Sequence, residues 1–383
     1  MKFSKHIRLW QSAVLVLFMY TCKQQYLPPV LQSNKNYLVV EGVIINGADS
    51  TIIKLSRTSN ISDTVLPQPQ PGATVTVVGQ DSSTYPLIDR GDGSYFSTGL
   101  NLDITKQYKL EISTGNEKYQ SDFVPVKQTP PIDSVGWYQD TGGTVHIYLN
   151  THDPTNNSRY YRWDYTETWN YESSEQSEFD WINEQIVIRD STDKIYDCWS
   201  TANSSTIQIA STAKLAQDVV SQQPITTIAG YDERLAIKYS ILLKQYVLTQ
   251  DAYNFWQNLQ STTQQLGSLF DAQPGQITSN IHSLTNPNEV VVGYVSASSL
   301  QQKRIFINRS DVRWYGAAYY ALYGCANQDI PPDSVDYYLP PTGNRAWVFI
   351  GQVTNSPDYI ITPKECADCR AHGGSNIKPS FWP

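Results

Sequence analysis

The sequence has few histidines and lacks several short motifs on which common catalytic sites depend. Its 383 residues include 5 histidines and 2 methionines. It contains no Gly-x-Ser-x-Gly elbow, no His-Glu-x-x-His zinc motif, no phosphate-binding loop and no dinucleotide fingerprint. Beyond the first few residues, the histidines lie far apart: His146, His152, His282 and His372. We therefore expect a non-enzymatic protein with no catalytic residue and no cofactor.

The apolar run near the N-terminus is too short to cross a membrane as a helix, which takes about 20 residues. It covers residues 13–20 (AVLVLFMY), follows three basic residues and stops just before Cys22. This order predicts a lipoprotein signal peptide over residues 1–21, after which Cys22 is acylated. An ordinary secretory signal is the alternative, because Thr21 is not the small residue usual before such a cysteine. Residues 22–36 are polar and proline-bearing, which predicts a tether.

Positive charge is scarce. The formal net charge is −8, and loss of residues 1–21, which hold three basic residues and no acidic one, lowers it to −11. Such a chain repels nucleic acid and anionic head groups. We expect no nucleic-acid partner, and attachment to the membrane through the acyl groups of Cys22 rather than through basic side chains.

Cysteines are also few, and four remain beyond Cys22: Cys198, Cys325, Cys366 and Cys369. An even number in an oxidising compartment predicts disulfides. The alternatives are a zinc site made by Cys366, Cys369, His372 and a distant cysteine, or a redox centre at the Cys-x-x-Cys. Among the three pairings that four cysteines allow, we predict Cys366–Cys369 with Cys198–Cys325, because neighbours in sequence meet first.

Strand-forming residues are abundant by contrast, with 26 tyrosines and many threonines and valines, and they predict a mainly β protein. Between residues 37 and 131, apolar segments alternate with turn signals, as expected for about seven strands of an N-terminal antiparallel Greek-key β-sandwich. The runs PGATVTVVG and GDGSYFS resemble transthyretin-like or carboxypeptidase-regulatory sandwiches. Pro130-Pro131 marks the predicted boundary.

Residues 132–383 are expected to form a larger β-rich domain with one inserted amphipathic helix. SVGWYQ and TVHIYLN predict a hairpin. Thr249 can cap a helix over QDAYNFWQNLQSTTQQL, with Gly267 ending it. Phe381 and Trp382 are expected to pack on this domain, since leaving them exposed would lose about 2 kcal/mol of burial each.

One segment, RYYRWDYTETWNY, has an aromatic row at a spacing of two. A strand places alternate residues on one face, so four aromatic residues share a side: Tyr161, Trp163, Tyr165 and Trp169. The row is a candidate binding platform for sugars or peptides. The alternative, which we favour, is the buried face of a strand.

Two acidic features were weighed as sites. His152-Asp153 with Asp140 could hold calcium or another metal, but isolated carboxylates seldom complete an oxygen shell, so we predict no metal site. The acidic residues between Glu172 and Glu184 are typical of a solvated loop.

Several longer stretches together resemble one family. KQYVLTQDAYNFWQNL, GSLFDAQP, SNIHSLTNPNEVVVGYVSAS and the closing CADCR with KPSFWP are similar to DUF4249, a family of lipoproteins of unknown function from Bacteroidota. The resemblance implies a lipid-anchored outer-membrane protein, similar to accessory proteins of TonB-dependent transporters. It carries over no catalytic residue.

We therefore expect an accessory or ligand-binding partner of such a transporter, with a surface hydrolase or adhesin as the alternative. Lys23-Gln24-Gln25 lacks the acidic residues that often signal surface display. The periplasmic and the cell-surface face both stay open.

Overall fold

The computed structural model describes residues 36–59, 68–183, 185–190, 192–264, 279–316, 324–340 and 345–383. These residues are mainly β-strand, as predicted. The predicted signal peptide, Cys22 and the predicted helix end at Gly267 lie outside them. Within the described ranges, no helix is long and apolar enough to cross a membrane.

The elements are numbered in chain order. The first nine strands are β1 Leu38–Asn46, β2 Thr51–Arg57, β3 Gln68–Pro69, β4 Thr74–Gly79, β5 Thr84–Asp89, β6 Ser94–Ser97, β7 Gln107–Thr114, β8 Glu117–Ser121 and β9 Val124–Lys127. The next nine are β10 Ile132–Gln139, β11 Val145–Asp153, β12 Tyr160–Glu172, β13 Phe179–Ile182, β14 Gln185–Ile188, β15 Asp197–Asn203, β16 Gln208–Ser211, β17 Asp218–Ile228 and β18 Lys238–Val247. Then follow β19 Ile281–Ser283, β20 Val292–Gly293, β21 Ser296–Ser299, β22 Gln301–Asn308, β23 Gln328–Ile330, β24 Trp347–Gln352 and β25 Tyr359–Pro363. The α-helices are α1 Gln250–Gln264, α2 Val335–Tyr338 and α3 Lys364–Ala367.

The N-terminal strands form a closed ring. Neighbours follow the order β7-β4-β5-β6-β2-β1-β21-β9, and β9 pairs with β7. Strand β4 shows why one side of the ring is buried, since Val75 and Val77 point inward while Thr74 and Thr76 do not. The ring therefore encloses one apolar core.

The predicted boundary near residue 131 ends only the contiguous part of this unit. Strands β19, β20 and β21 return from residues 281–299 to pair with it, and Ile281, Val291 and Ala297 join its core. Strand β21 runs parallel to both β1 and β9, whereas the strands within residues 37–131 pair antiparallel with one another, as predicted. A segment that arrives from a remote part of the chain is free of the tight turn that imposes antiparallel pairing.

The second unit is a sandwich of two sheets. One has the order β10-β11-β17, and the other has the order β15-β12-β18-β22 with β16 beside β12. We call them the β11 sheet and the β12 sheet. The predicted hairpin is β10 with β11. The facing sides of the two sheets share one core, which includes Ile147, Leu149, Trp163, Ile241 and Leu243.

A smaller unit follows from the last strands. Sheet β23-β25-β24 and hairpin β13-β14 share a core in which Phe179 packs against Ile330, Phe349 and Ile361. This unit brings residues from before residue 190 and after residue 324 together.

The predicted helix is α1, and it lies against the β12 sheet. Thr249 Oγ1 accepts a hydrogen bond from the N–H of Ala252 at 3.2 Å, as expected of the predicted cap. Ala252 and Phe255 are buried. The Arg162 guanidinium lies 4.0 Å from the ring centroid of Trp256 and holds the helix to β12.

Four cysteines form two disulfides, as predicted, but the predicted pairing is wrong. The bridges are Cys198–Cys369 and Cys325–Cys366. Cys366 belongs to α3, whereas Cys369 begins the 3-10 turn that Asp368 caps. The two cysteines therefore lie in successive turns. Cys369 is directed to β15, and Cys366 is directed to the segment before β23.

Beyond Cys369 the C-terminal tail runs along the β12 sheet. Ser375 exchanges backbone hydrogen bonds with Trp199 of the edge strand β15, at 2.8 and 2.9 Å. Trp382 then packs against Phe306 of β22, at the opposite edge, with ring centroids 5.6 Å apart. The prediction that the aromatic tail packs on this domain is confirmed for Trp382, which is 8% exposed.

Candidate binding site

The β11 sheet has an outer face that points away from the sandwich core. Along β11, Val145, Ile147 and Leu149 are buried in the core, whereas His146 and Tyr148 lie between them and are only half-buried. Alternate side chains of a strand point to opposite faces. His146 and Tyr148 therefore belong to the outer face.

The strand register arranges this face in cross-strand rows. One row joins Tyr138, His146 and Thr227, and the next joins Gly136, Tyr148 and Pro224. Directly opposed side chains on one face lie close enough to contact each other. The rows therefore gather aromatic rings that are separate in the sequence.

The first row is fixed by stacking and by a carboxylate. The rings of Tyr138 and His146 lie 4.8 Å apart and within 10° of parallel. His146 Nε2 is 2.9 Å from Asp140 Oδ2, and the N–H of Thr144 donates to Asp140 Oδ1 at 2.9 Å. The contact with His146, followed by the bond from Thr144, lowers the pKa of Asp140. Asp140 thus fixes the orientation of the His146 ring. Tyr138, which stacks on that ring, is still 54% exposed.

The second row depends on a glycine. A Cβ at Gly136 would lie 2.6 Å from Cζ of Tyr148, so the tyrosine ring lies directly on the backbone of β10. The rings of Tyr138 and Tyr148 are 6.3 Å apart and tilted by 45°. Two tyrosine rings thus border the same surface at different inclinations.

A cavity of about 400 Å³ opens beside these rings. The β11 sheet contributes Tyr138, His146 and Tyr148 to its wall, and the other side contributes Tyr165, Thr206 and Gln208. The volume lies within the range of about 300–1,000 Å³ usual for small-molecule sites. Aromatic rings beside uncharged polar groups suit a ligand that has both apolar and hydrogen-bonding surfaces.

An irregularity in β17 shapes the rim of the cavity. Gln222 has a φ of 49°, and the pairing of β11 with β17 shifts register twice nearby. The backbone N–H of Gln222 donates to Asn150 Oδ1 at 2.7 Å, and this bond holds Gln222 in its left-handed conformation. Bulges of this kind redirect side chains next to sites.

The predicted platform residues lie mostly in the core. Tyr161 and Trp163 are both 0% exposed, and Trp163 Nε1 donates to Gln245 Oε1 at 2.8 Å. The platform interpretation is therefore wrong for these two, because a ligand cannot reach a ring enclosed between two sheets. Trp169 packs against the same core. Tyr165 alone among the four borders the cavity.

The residues weighed as a metal site are kept apart. Asp140 is engaged with His146, His152 Nδ1 lies 2.8 Å from Asp133, and Asp153 Oδ1 accepts from the N–H of Thr155. In the described ranges, no group of three His, Cys, Asp or Glu side chains gathers as metal ligands would.

Part of the acidic segment is paired rather than solvated. Asp180 lies 3.3 Å from Arg189 and 2.9 Å from Arg345, and Asp193 lies 3.1 Å from Arg189 and 3.0 Å from Arg370. These ions border a second cavity of about 260 Å³. Each arginine already contacts a carboxylate, so the chain of ions connects the small unit to the tail.

Sequence reasoning missed Tyr138, His146 and Tyr148. The predicted hairpin could have identified them, because its register places Tyr138 opposite His146. The aromatic residues then share the face of the hairpin that carries few apolar side chains. The second wall was not predictable in this way, since Tyr165, Thr206 and Gln208 reach the cavity only through the packing of the two sheets.

Comparison with known proteins supports one family. The model of a domain of unknown function (DUF4249) matches residues 23–304. The closing CADCR and KPSFWP stretches lie beyond the matched residues. No curated protein matches the chain.

Among solved structures, a segment of two fibronectin type-III domains from chicken tenascin is similar to this chain at 9% sequence identity. The match covers 54% of this chain and 88% of that one, with a TM-score of 0.15. Because this score is low, we draw nothing from the likeness.

Proposed function

The chain belongs to the DUF4249 family, and from this premise we propose that it is a non-enzymatic, lipid-anchored protein of the cell envelope. In this role it binds a ligand in the cavity beside Tyr138, as an accessory partner of a TonB-dependent outer-membrane transporter. Its anchor is the acylated Cys22, and it faces either the periplasm or the cell surface.

The observation that carries the binding role is the cavity with its exposed ring. Tyr138 is 54% exposed although its neighbour His146 is fixed by Asp140. An aromatic ring held in place but left uncovered contributes nothing to the core, and such rings are typical of binding surfaces. The site also stands on paired strands, which hold it in one geometry before a ligand arrives.

Two features support the location in the envelope. The two disulfides fit an oxidising compartment, because disulfides are rare in the reducing cytosol. The apolar run before Cys22 fits export and acylation. The acidic net charge fits attachment by acyl chains better than attachment by basic side chains.

The classification of the N-terminal unit as a Greek-key sandwich of the transthyretin or carboxypeptidase-regulatory type belongs to the same proposal. Strands distant in sequence are neighbours in its ring, as β6 is beside β2 and β7 beside β4. Such crossovers are what Greek-key connections produce.

The partner is tested by purification of the full chain from native outer membranes in mild detergent. We expect a barrel-forming transporter in a stoichiometric amount. Absence of any stoichiometric partner would contradict the accessory role.

The anchor is tested with Cys22→Ala and a fatty-acid analogue. We expect label on the wild-type chain and none on the variant, which should be released or remain unprocessed. A wild-type chain that takes up no label would make an ordinary secretory signal the better interpretation.

A further inference from the structure

We propose that the ligand of the cavity beside Tyr138 is an uncharged saccharide, bound with sugar rings on Tyr138 and Tyr148. This inference rests on the proposed binding role and adds the chemical class of the ligand. It is carried by the charge, the polar groups and the ring geometry of the cavity wall.

The charge of the wall favours a neutral ligand. Apart from tyrosines, the wall has one titratable side chain among the described residues, His146, and Asp140 already lies 2.9 Å from it. Among the lining residues that the structure describes, there is no lysine or arginine to bind a phosphate, sulfate or carboxylate. The net charge of the whole chain is negative, which further disfavours an anionic ligand.

The polar groups of the wall suit hydroxyls. Gln208 and Gln222 offer amides, and Thr206, Thr226 and Thr227 offer hydroxyl groups. An amide both donates and accepts hydrogen bonds, as does a threonine hydroxyl, and this matches a sugar hydroxyl, which does the same. Gln208 Nε2 donates to Thr206 Oγ1 at 3.1 Å, and a purely apolar ligand would displace the hydration of the other donors and acceptors without replacing those hydrogen bonds.

The rings supply the complementary apolar surface. One face of the Tyr138 ring stacks on His146, and the side chain is still 54% exposed, so the ring presents surface to solvent. Tyr148 lies against the backbone of Gly136, and its ring is tilted by 45° to that of Tyr138. Two inclined flat surfaces fit successive units of a short oligosaccharide, whose C–H faces pack on aromatic rings.

The edge of the β11 sheet is a poor template for a peptide, the other ligand with mixed character. A peptide strand would add to the free edge of β17 through regular backbone hydrogen bonds. Strand β17 is interrupted by two register shifts and contains Pro224, which has no N–H to donate. Side-chain contacts of the cavity, rather than strand addition, must then provide the affinity.

The test measures binding of short neutral oligosaccharides of glucose, xylose, mannose and N-acetylglucosamine to the full chain by calorimetry. Oligogalacturonate and an unstructured neutral peptide serve as charged and peptide probes. The variants are Tyr138→Ala and, as a matched control, Tyr337→Ala, whose side chain is 82% exposed on α2 outside the cavity wall. Both positions are exposed, so neither substitution removes a core residue.

We expect at least one neutral oligosaccharide to bind, with affinity lowered about tenfold by Tyr138→Ala, the equivalent of about 1.4 kcal/mol of stacking. Tyr337→Ala should bind as the wild type does. Gly136→Ala, which displaces Tyr148, should also weaken binding.

Four results would overturn the inference. Binding of no neutral oligosaccharide, equal or tighter binding of oligogalacturonate, or saccharide binding indifferent to Tyr138→Ala each contradicts it. Peptide binding that depends on Tyr138 would refute the saccharide and leave the binding role intact. Recovery of the transporter partner is measured separately, so the accessory role stands or fails on its own.

Discussion

The two sheets of the central sandwich share one core but differ on their outer sides. The outer face of the β12 sheet is covered by the C-terminal tail, and Thr168 and Ser240 there are 1% and 0% exposed. The outer face of the β11 sheet has no such cover within the described residues, and it leaves Tyr138 in solvent. The polar outer face of the β12 sheet is thus covered, whereas the aromatic outer face of the β11 sheet is exposed to solvent.

The difference lies in how each face is stabilised. The tail is fixed at one end by Cys198–Cys369 and at the other by Trp382 against Phe306. Arg304 donates to Ser240 at 2.9 Å and lies 3.6 Å from the ring centroid of Phe381, which connects the tail to the sheet beneath. On the β11 sheet, ring stacking and the contact of Asp140 with His146 order the outer face. The face of the β12 sheet is thus stabilised by its cover, whereas the face that we propose to bind a ligand is ordered without being covered.

Removing the long-range disulfide should disrupt the covered face most. In C198A/C369A we expect the free energy of unfolding to fall by about 4–5 kcal/mol, because the bridge restricts the unfolded chain over many residues. The separation is 171 residues, against 41 for Cys325–Cys366. In C325A/C366A the loss should be about 1 kcal/mol smaller. Urea unfolding of both variants measures the difference, and a greater loss in C325A/C366A would contradict this ordering.

An aromatic residue should matter for stability on the covered face and not on the open one. For Trp382→Ala we expect a loss of about 2–3 kcal/mol, because this indole is 8% exposed and packs on Phe306. For Tyr138→Ala the loss should be less than about 1 kcal/mol, because more than half of the side chain already contacts water. Thermal unfolding of the two variants is the measurement. Equal losses would mean that Tyr138 is a packing residue, which would weaken its role in binding.

Much of the fold was predictable from local patterns. The hairpin β10–β11, the long strands β12 and β18 and the capped helix α1 each follow from spacing that is complete within one segment. The pairing of β19, β20 and β21 with the N-terminal ring was not predictable. Residues 281–299 look like any strand-forming segment, and no local pattern indicates which strands they pair with. The prediction of the cysteine pairing failed for the same reason. Cys369 lies beside Cys198 because of the path of the C-terminal tail, and not because of the residues next to it in the sequence.

The site was less predictable than the fold. The alternation of RYYRWDYTETWNY gave the correct shared side for Tyr161, Trp163 and Tyr165, but it does not tell whether that side faces a partner sheet or solvent. The burial of Tyr161 and Trp163 depends on the β11 sheet packing opposite. The cavity exists only where two sheets, an irregular strand and a glycine meet, and this combination has no single sequence signal.

A glycine substitution should change the open face alone. In Gly136→Ala the new Cβ displaces the Tyr148 ring, which is the flexible end of a side chain and can move. We expect the free energy of unfolding to change by less than about 1 kcal/mol, while ligand binding in the cavity weakens. Calorimetric binding and urea unfolding of the same preparation separate the two effects. A change confined to stability would show that Tyr148 takes no part in the site.

The smallest effect concerns His152, an exposed histidine on the open face. Asp133 lies 2.8 Å from His152, and this contact raises the pKa of His152 above its ordinary value of about 6.5. Because the folded pKa is raised, the pair stabilises the fold fully below that ordinary value, and the stabilisation is lost as the pH rises through the folded pKa. NMR titration of the His152 ring should therefore show a higher pKa in the wild type than in Asp133→Asn. An identical His152 pKa in both proteins would show that the Asp133 carboxylate is fully screened by water on this uncovered face.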